Sequence, residues 1–242
     1  MLNELLSEFT GAVIGDGNLW TDDKYRYRVD INGHPILDRE YHNYLSEIIK
    51  TEFDKKPRVQ IRPHELVLRT QSKKVFDFLT KELGLPYGAG KGKKVTIPTK
   101  IFFSEWNILK RCIRGIADTD GSVFFAKKKN YRNDYPSIEI ATTSKNLAIQ
   151  IKEILTSNGF RVGFRKQIPI KKEWNTRYII SLNGEKMLEK WMTEIGSSNP
   201  RHYRKYQAWK AKNTHVVKIK TAGVTQPGRV SDLVEVTHEG QN

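Results

Sequence analysis

The stretch Phe9-Thr10-Gly11-Ala12-Val13-Ile14-Gly15-Asp16-Gly17 returns, altered but recognisable, as Ile113-Arg114-Gly115-Ile116-Ala117-Asp118-Thr119-Asp120-Gly121. Both copies are largely apolar, carry Gly at the third position and close on Asp-Gly. Asp16 and Asp120 lie close to half the chain apart, which reads as a duplicated unit. A second small residue follows the first by one helical turn in each copy: Gly15 after Gly11, and Thr119 after Gly115. Faces of small side chains let two helix backbones approach closely. If Gly11 and Gly15 pack on Gly115 and Thr119, the two helices end side by side and Asp16 and Asp120 share one site.

A carboxylate at a helix C-terminus faces the negative end of the macrodipole, at a cost of roughly 0.3–1 kcal/mol. One Asp-Gly has an ordinary explanation, since Gly ends helices and Asp is tolerated in the turn before it. Two at matched positions favour a common task, and a divalent cation between them would remove the penalty. Paired carboxylates holding metal are the usual apparatus for in-line phosphodiester displacement.

The 242 residues contain 42 Lys plus Arg against 27 Asp plus Glu, a formal charge of +15. That excess favours a polyanionic partner, nucleic acid ahead of a membrane surface, with a merely basic soluble protein as the alternative. The single cysteine, Cys112, excludes an internal disulfide framework and a Cys-rich zinc site, and its apolar neighbours mark it as a buried thiol. The first residues are amphipathic and acidic, unlike a secretory signal, and no apolar run approaches membrane-spanning length. The expectation is a soluble, intracellular chain without a membrane partner.

Periodicity predicts helices over 2–15, 35–53 and 73–83, the last closed by Gly84. Residues 24–32 alternate as a strand, with 58–62 and 65–71 as a hairpin. The stretch 86–100 reads as a Gly-, Lys- and Pro-rich connector. Then the pattern restarts: helix 107–119, strands 122–128 and 137–143, helix 145–158, hairpin 161–168 with 177–183, and helix 185–195 before Gly196. A last helix is expected over 203–212. The fold class is therefore α+β, in two pseudo-symmetric αββαββα halves, 1–100 and 101–215, with 216–242 as a mobile tail.

The strands supply a polar face suited to reading bases. Lys24, Arg26, Arg28, Asp30 and Asn32 share one side of the first strand, and Arg58, Gln60, Arg62, Arg69 and Gln71 extend it. In the second half the candidates are Glu139, Arg161, Arg165, Gln167, Arg177, Ser181 and Asn183. Arg suits guanine, Asn and Gln suit adenine, and acids suit cytosine in the major groove. Any half-exposed strand alternates in this way, so the face alone does not decide the partner. Loop lysines Lys127, Lys128, Lys129, Lys171 and Lys172 are placed for phosphates or for solvent.

The twin motifs resemble those of the LAGLIDADG homing endonucleases in their single-chain, two-repeat form, and the element order matches over roughly residues 1 to 215. Gly11-Ala12-Val13-Ile14-Gly15-Asp16-Gly17-Asn18-Leu19, Val95-Thr96-Ile97-Pro98 and Ser198-Asn199-Pro200-Arg201-His202 are similar to archaeal intron-encoded members. The resemblance implies motif helices at the interface of two halves, and curved antiparallel sheets forming a saddle on the major groove of double-stranded DNA. It implies a monomeric, Mg²⁺-dependent, site-specific double-strand endonuclease of a prokaryotic, archaeal cytoplasm. Two or three divalent ions would be shared between Asp16 and Asp120, with the carbonyls of Gly15 and Thr119 as further ligands, and Mn²⁺ or Ca²⁺ able to substitute for binding. Asp118 matches a position that is Ile14 in the first copy, so it is not expected to be a required ligand. Auxiliary catalytic residues implied are His34 near the second strand, Lys93 or Lys94 after the third helix, and Arg201 or His202 in the second half. The alternatives on the same fold are an intron maturase that binds its own intron RNA, or a cleavage-dead DNA-binding protein.

Overall fold

Asn3 opens the first helix by accepting a hydrogen bond from the Leu6 N–H (2.8 Å), and α1 runs Glu4–Asp16. In this computed structural model, residues 2–22, 24–129, 134–171 and 174–221 are described, the side chains as far as 213. At Gly17 the backbone swings to extended geometry, and strand β1 (Gly17–Thr21) follows without a loop. β2 (Tyr27–Gly33), helix α2 (Arg39–Phe53), β3 (Arg58–Arg62) and β4 (Glu65–Gln71) complete an antiparallel sheet of order β1-β2-β4-β3. Helix α3 (Lys73–Asp77) continues through a π-helical turn at Phe78–Glu82. Two short helices, α4 (Lys91–Lys94) and α5 (Thr99–Phe102), occupy the stretch expected as a connector.

The second half repeats the plan. Helix α6 (Trp106–Asp120) runs straight into β5 (Gly121–Ala126) and β6 (Tyr135–Thr142), followed by α7 (Lys145–Ser157), β7 (Val162–Gln167), β8 (Arg177–Asn183) and α8 (Glu185–Glu194). The sheet order, β5-β6-β8-β7, is the same. Registers agree as well: Gly17 faces Ile31 as Gly121 faces Ile140, and Ile31 faces Leu68 as Ile140 faces Ile180. Gly84 and Gly196 each end a helix at positive φ, 73° and 72°, where a Cβ would be strained. Helix α9 (Pro200–Thr221) is longer than the expected 203–212 and reaches into the region expected as a tail. The remainder of that tail, from 222, lies outside the described residues.

Two differences from the periodicity reading have physical causes. The expected strand 24–32 begins at Tyr27, because Asp22 Oδ1 accepts from the backbone N–H groups of Lys24, Tyr25 and Arg26 and folds them into a turn. β1 was hidden because its five residues directly follow the motif helix.

One continuous apolar core runs through both halves, from Phe9 and Leu45 to Leu147 and Trp191. Its centre is the contact of α1 with α6. A Cβ on Gly11 would fall on the Cys112 carbonyl, and one on Gly115 on the Glu8 carbonyl. A Cβ on Gly15 would fall on the Thr119 hydroxyl, 3.4 Å from the Asp120 carboxyl carbon. Salt bridges brace the same contact: Arg111 reaches Glu4 and buried Glu8, each at 2.9 Å.

Candidate metal centre and nucleic-acid interface

Close approach of α1 and α6 puts Asp16 and Asp120 beside each other at the two helix C-termini. Burial pushes the Asp120 carboxyl up to about 7, and the neighbouring Asp16 adds to the shift. Burial likewise raises Asp16, with Asp38 as the next cause. No hydrogen bond to either carboxylate is formed among the described residues. Two crowded, desolvated oxygen donors fit a hard divalent cation, which would stabilise the ionised forms. Among the described residues no group of three or more His, Cys, Asp and Glu could hold a metal, so backbone carbonyls or water would complete the shell. The Thr119 carbonyl, expected as a ligand, already accepts from Arg201 Nη2 (3.3 Å).

Each motif helix ends against a cation. Buried Lys91 donates to the carbonyls of Val13 (2.6 Å) and Gly17 at the end of α1. Burial lowers its pKa to about 8, while Asp120 and Asp16 hold it from falling further. Arg201 does the same at the end of α6, donating to the carbonyls of Asp118 (3.4 Å) and Thr119, and its Nη1 pairs with Asp38 at 3.1 Å. These cations oppose the negative helix ends that the carboxylates alone would aggravate.

Lys94, expected as the auxiliary lysine, is exposed with Lys93, and Lys91 is the one turned inward. Gly90, in the left-handed region, precedes α4, and the sequence offered only a run of equivalent lysines. His34 lies on the surface, its Nδ1 accepting from the N–H groups of Ile36 and Leu37 (both 3.2 Å). The histidine acting on Asp16 is His42, whose ring nitrogens face the Asp38 and Ile31 carbonyls. His202 is corrected: it is 4% exposed, burial and Arg201 lower it to about 3, and it stays neutral at working pH. Its Nε2 accepts from Arg201 Nε (3.2 Å), which supports the arginine and takes no proton. Asp118 is buried and holds the 197–199 loop through the Ser197 hydroxyl and the N–H groups of Ser198 (2.7 Å) and Asn199 (3.1 Å).

The sheet faces away from the helices carry the candidate reading residues. Cross-strand register puts Arg28, Asp30, Asn32, Arg58, Gln60, Arg62, Arg69 and Gln71 on one face in the first half. Asn18 and Trp20 of β1 join them, a pair the hidden strand concealed; their alternation with Leu19 was the available signal. In the second half Glu139, Arg165, Gln167, Arg177, Ser181 and Asn183 share the equivalent face, and Arg161 precedes β7 in phase with them. Arg177 also acts on Asp120. Lys24 and Arg26 sit in the β1–β2 turn instead of on the strand. Asp30 is corrected too: it is 5% exposed, and both its oxygens are taken by Arg69, so it has no free edge for cytosine. Lys127, Lys128, Lys129 and Lys171 are exposed, and Lys172 lies outside the described residues.

Comparison with known proteins gives this geometry a family context. Residues 107–196 match the family model of the LAGLIDADG-like domain. A structure of I-DmoI in complex with DNA and Mn superposes with a TM-score of 0.57 at 18% identity, covering 82% of this chain and 99% of that one. The I-LtrWI LAGLIDADG homing endonuclease bound to target DNA gives 0.52 at 14% identity, covering 92% of each chain. In sequence, the chain is 26% identical over 195 residues to a replication factor C small subunit of Thermococcus kodakarensis, spanning 80% of this chain but only 20% of that protein. No helix among the described residues is long and apolar enough to cross a membrane. The chain thus matches the LAGLIDADG-like domain over residues 107–196 and shares, over both halves, the fold seen in the LAGLIDADG homing endonuclease structures.

Proposed function

We propose that this chain is a site-specific, metal-dependent endonuclease that binds double-stranded DNA across its two sheets and cuts both strands at the Asp16–Asp120 site. The observation that carries this reading is the pair of buried, mutually repelling carboxylates set where the two halves meet. The DNA and Mn in the I-DmoI structure, and the target DNA in that of I-LtrWI, support the same substrate and cofactor class. Asp16 and Asp120 would hold the cation, Mg²⁺ or a substitute, with the Gly15 carbonyl as a further ligand. When bound, such an ion polarises a phosphodiester and raises the acidity of water. Lys91 adds positive charge beside both carboxylates, against the charge that builds on phosphate oxygens. Arg201 fixes the end of α6 and thereby the position of Asp120. The halves 1–100 and 101–215 each take half of an asymmetric target, in one monomer acting inside the cell.

The test is cleavage of a selected DNA target in Mg²⁺ by the protein and by Asp16→Asn and Asp120→Asn. Loss of cleavage by at least a hundredfold in each variant, with binding retained, is expected. Full activity in either variant rejects the site, and DNA binding without cleavage by the unaltered protein with any divalent metal rejects the enzymatic reading.

A further inference from the structure

Both oxygens of Asp30 are committed within the sheet, and their partners are Arg69 and Arg28. Arg69 donates from Nε to Oδ1 and from Nη2 to Oδ2, both at 2.9 Å. This side-on fork uses one edge of the guanidinium, and Nη1 makes no hydrogen bond among the described residues. Arg28 lies at 3.2 Å from Asp30 Oδ2 on the other side, its guanidinium 4.9 Å from the centre of the Trp20 ring. A carboxylate that is 5% exposed between two arginines, one of them also held against an aromatic face, fixes both side chains before any ligand arrives.

Beside Arg69 lies a hollow of about 270 Å³ lined by Lys56, Arg58, Gln60, Arg69 and Gln71, with no acidic residue in its wall. An arginine held side-on by a carboxylate presents its remaining Nη1 and Nη2 hydrogens end-on. Those two donors match the O6 and N7 acceptors of guanine, whereas adenine offers one acceptor and one donor. Among the described residues the second half lacks this arrangement. There Glu139 stands opposite Ser181, and Arg165 reaches it through Nη2 alone from a side chain that is largely exposed.

We propose that Asp30 is a positioning residue that presents Arg69 end-on to a guanine in the major groove, making the half-site under the first sheet the more strictly read. This rests on the DNA-binding reading above. It replaces a direct acid-to-cytosine contact with an indirect guanine requirement.

The experiment is binding selection from randomised duplex DNA, read by sequencing, for the full chain and for Arg69→Lys and Asp30→Asn. The unaltered protein is expected to select a guanine whose preference over adenine drops in Arg69→Lys by up to the roughly 5- to 150-fold that a two-pronged contact is worth, because an ammonium lacks the fixed pair of parallel donors. Asp30→Asn is expected to weaken that preference about tenfold while raising affinity for unrelated DNA, because a negative charge leaves the interface. A merely structural lesion would lower both. Arg69→Lys keeps a positive charge beside Asp30, and retained affinity for unrelated DNA shows that this variant is folded. A selected sequence in which no guanine preference responds to Arg69→Lys overturns the inference and leaves the endonuclease reading standing. Failure to select any sequence overturns both.

Discussion

Asp120 shows at the scale of one residue how a site can be costly to the fold that carries it. Its carboxyl is shifted from 3.8 to about 7 by burial and then by Asp16. A pKa raised in the folded state means the folded protein keeps a proton that the unfolded chain has already released. Stability on this account is fully present below about pH 4, falls as pH rises toward 7, and stays low above it. Asp120→Asn removes the buried charge, so it is expected to stabilise the metal-free protein by on the order of 2 kcal/mol at pH 8. Thermal denaturation in chelator at pH 8 and pH 4 checks the sign: the variant melts higher at pH 8, and the gap closes at pH 4. A variant that melts no higher than the unaltered protein at pH 8 refutes the electrostatic account. Added Mg²⁺ is expected to raise the melting temperature of the unaltered protein more than that of Asp120→Asn, by mass action on the native state. His202 is shifted the opposite way: burial and then Arg201 lower it to about 3, so the ring carries no charge in the working pH range and is too weak a base to take up a proton there.

The motif helices make the corresponding argument at the scale of elements. Gly11 and Gly115 are required by approach distance, since a Cβ on either would meet a carbonyl of the facing helix. Gly11→Ala and Gly115→Ala are each expected to lower stability by about 1–3 kcal/mol, the usual cost of overpacking. Gly92→Ala, where the nearest atom is the Thr143 hydroxyl at 3.2 Å, should cost far less. Urea unfolding of the three variants measures this, and equal effects at all three sites would remove the close-packing account. These helices were legible because both copies repeat Gly and Asp at the same spacing, and the hairpins because β3, β4, β7 and β8 alternate between clear turns. β1 was not legible: Gly17–Thr21 merges with the end of a helix, and the polar alternation of 24–32 runs on through a turn that only the Asp22 carboxylate defines. Lys91 could not be told from Lys93 and Lys94 before their burial was known. Asp30 was placed on the correct face, but its partner depends on the register of β2 with β4, which joins residues far apart in sequence.

Across the whole molecule the halves exchange their exit segments. The stretch that leaves the first half docks on the β6–α7 corner of the second: Thr143 Oγ1 donates to the Gly92 carbonyl (2.9 Å), Ser144 Oγ to that of Val95 (2.7 Å), and Gln150 brackets the backbone of Ile97. In return, the stretch that leaves the second half docks on the β2–α2 corner of the first. There Asn199 Nδ2 donates to Asp38 Oδ1 (2.7 Å), and Arg201 joins Asp38 to the end of α6. The two segments deliver Lys91 and Arg201 to the ends of α1 and α6, so the exchange that joins the halves also completes the site between them. Asn199 is fully buried and touches both halves, since the same Nδ2 also donates to the Asp118 carbonyl (3.1 Å). Asn199→Ala deprives two buried acceptors of a donor and is expected to cost on the order of 2 kcal/mol. Gln150→Ala at the reciprocal clasp is only part-buried and should cost less. The two sites share no partner, so wherever unfolding stays two-state the double variant is additive within about 0.5 kcal/mol. Denaturant titration supplies both the free energies and the slope. If the clasps hold the halves as one cooperative unit, the double variant unfolds with a shallower slope than either single variant, as each half begins to melt alone. An unchanged slope, with Asn199→Ala costing no more than a surface substitution, would mean that the α1–α6 contact alone unites the halves, and that the exchanged segments serve only to carry Lys91 and Arg201 to their places.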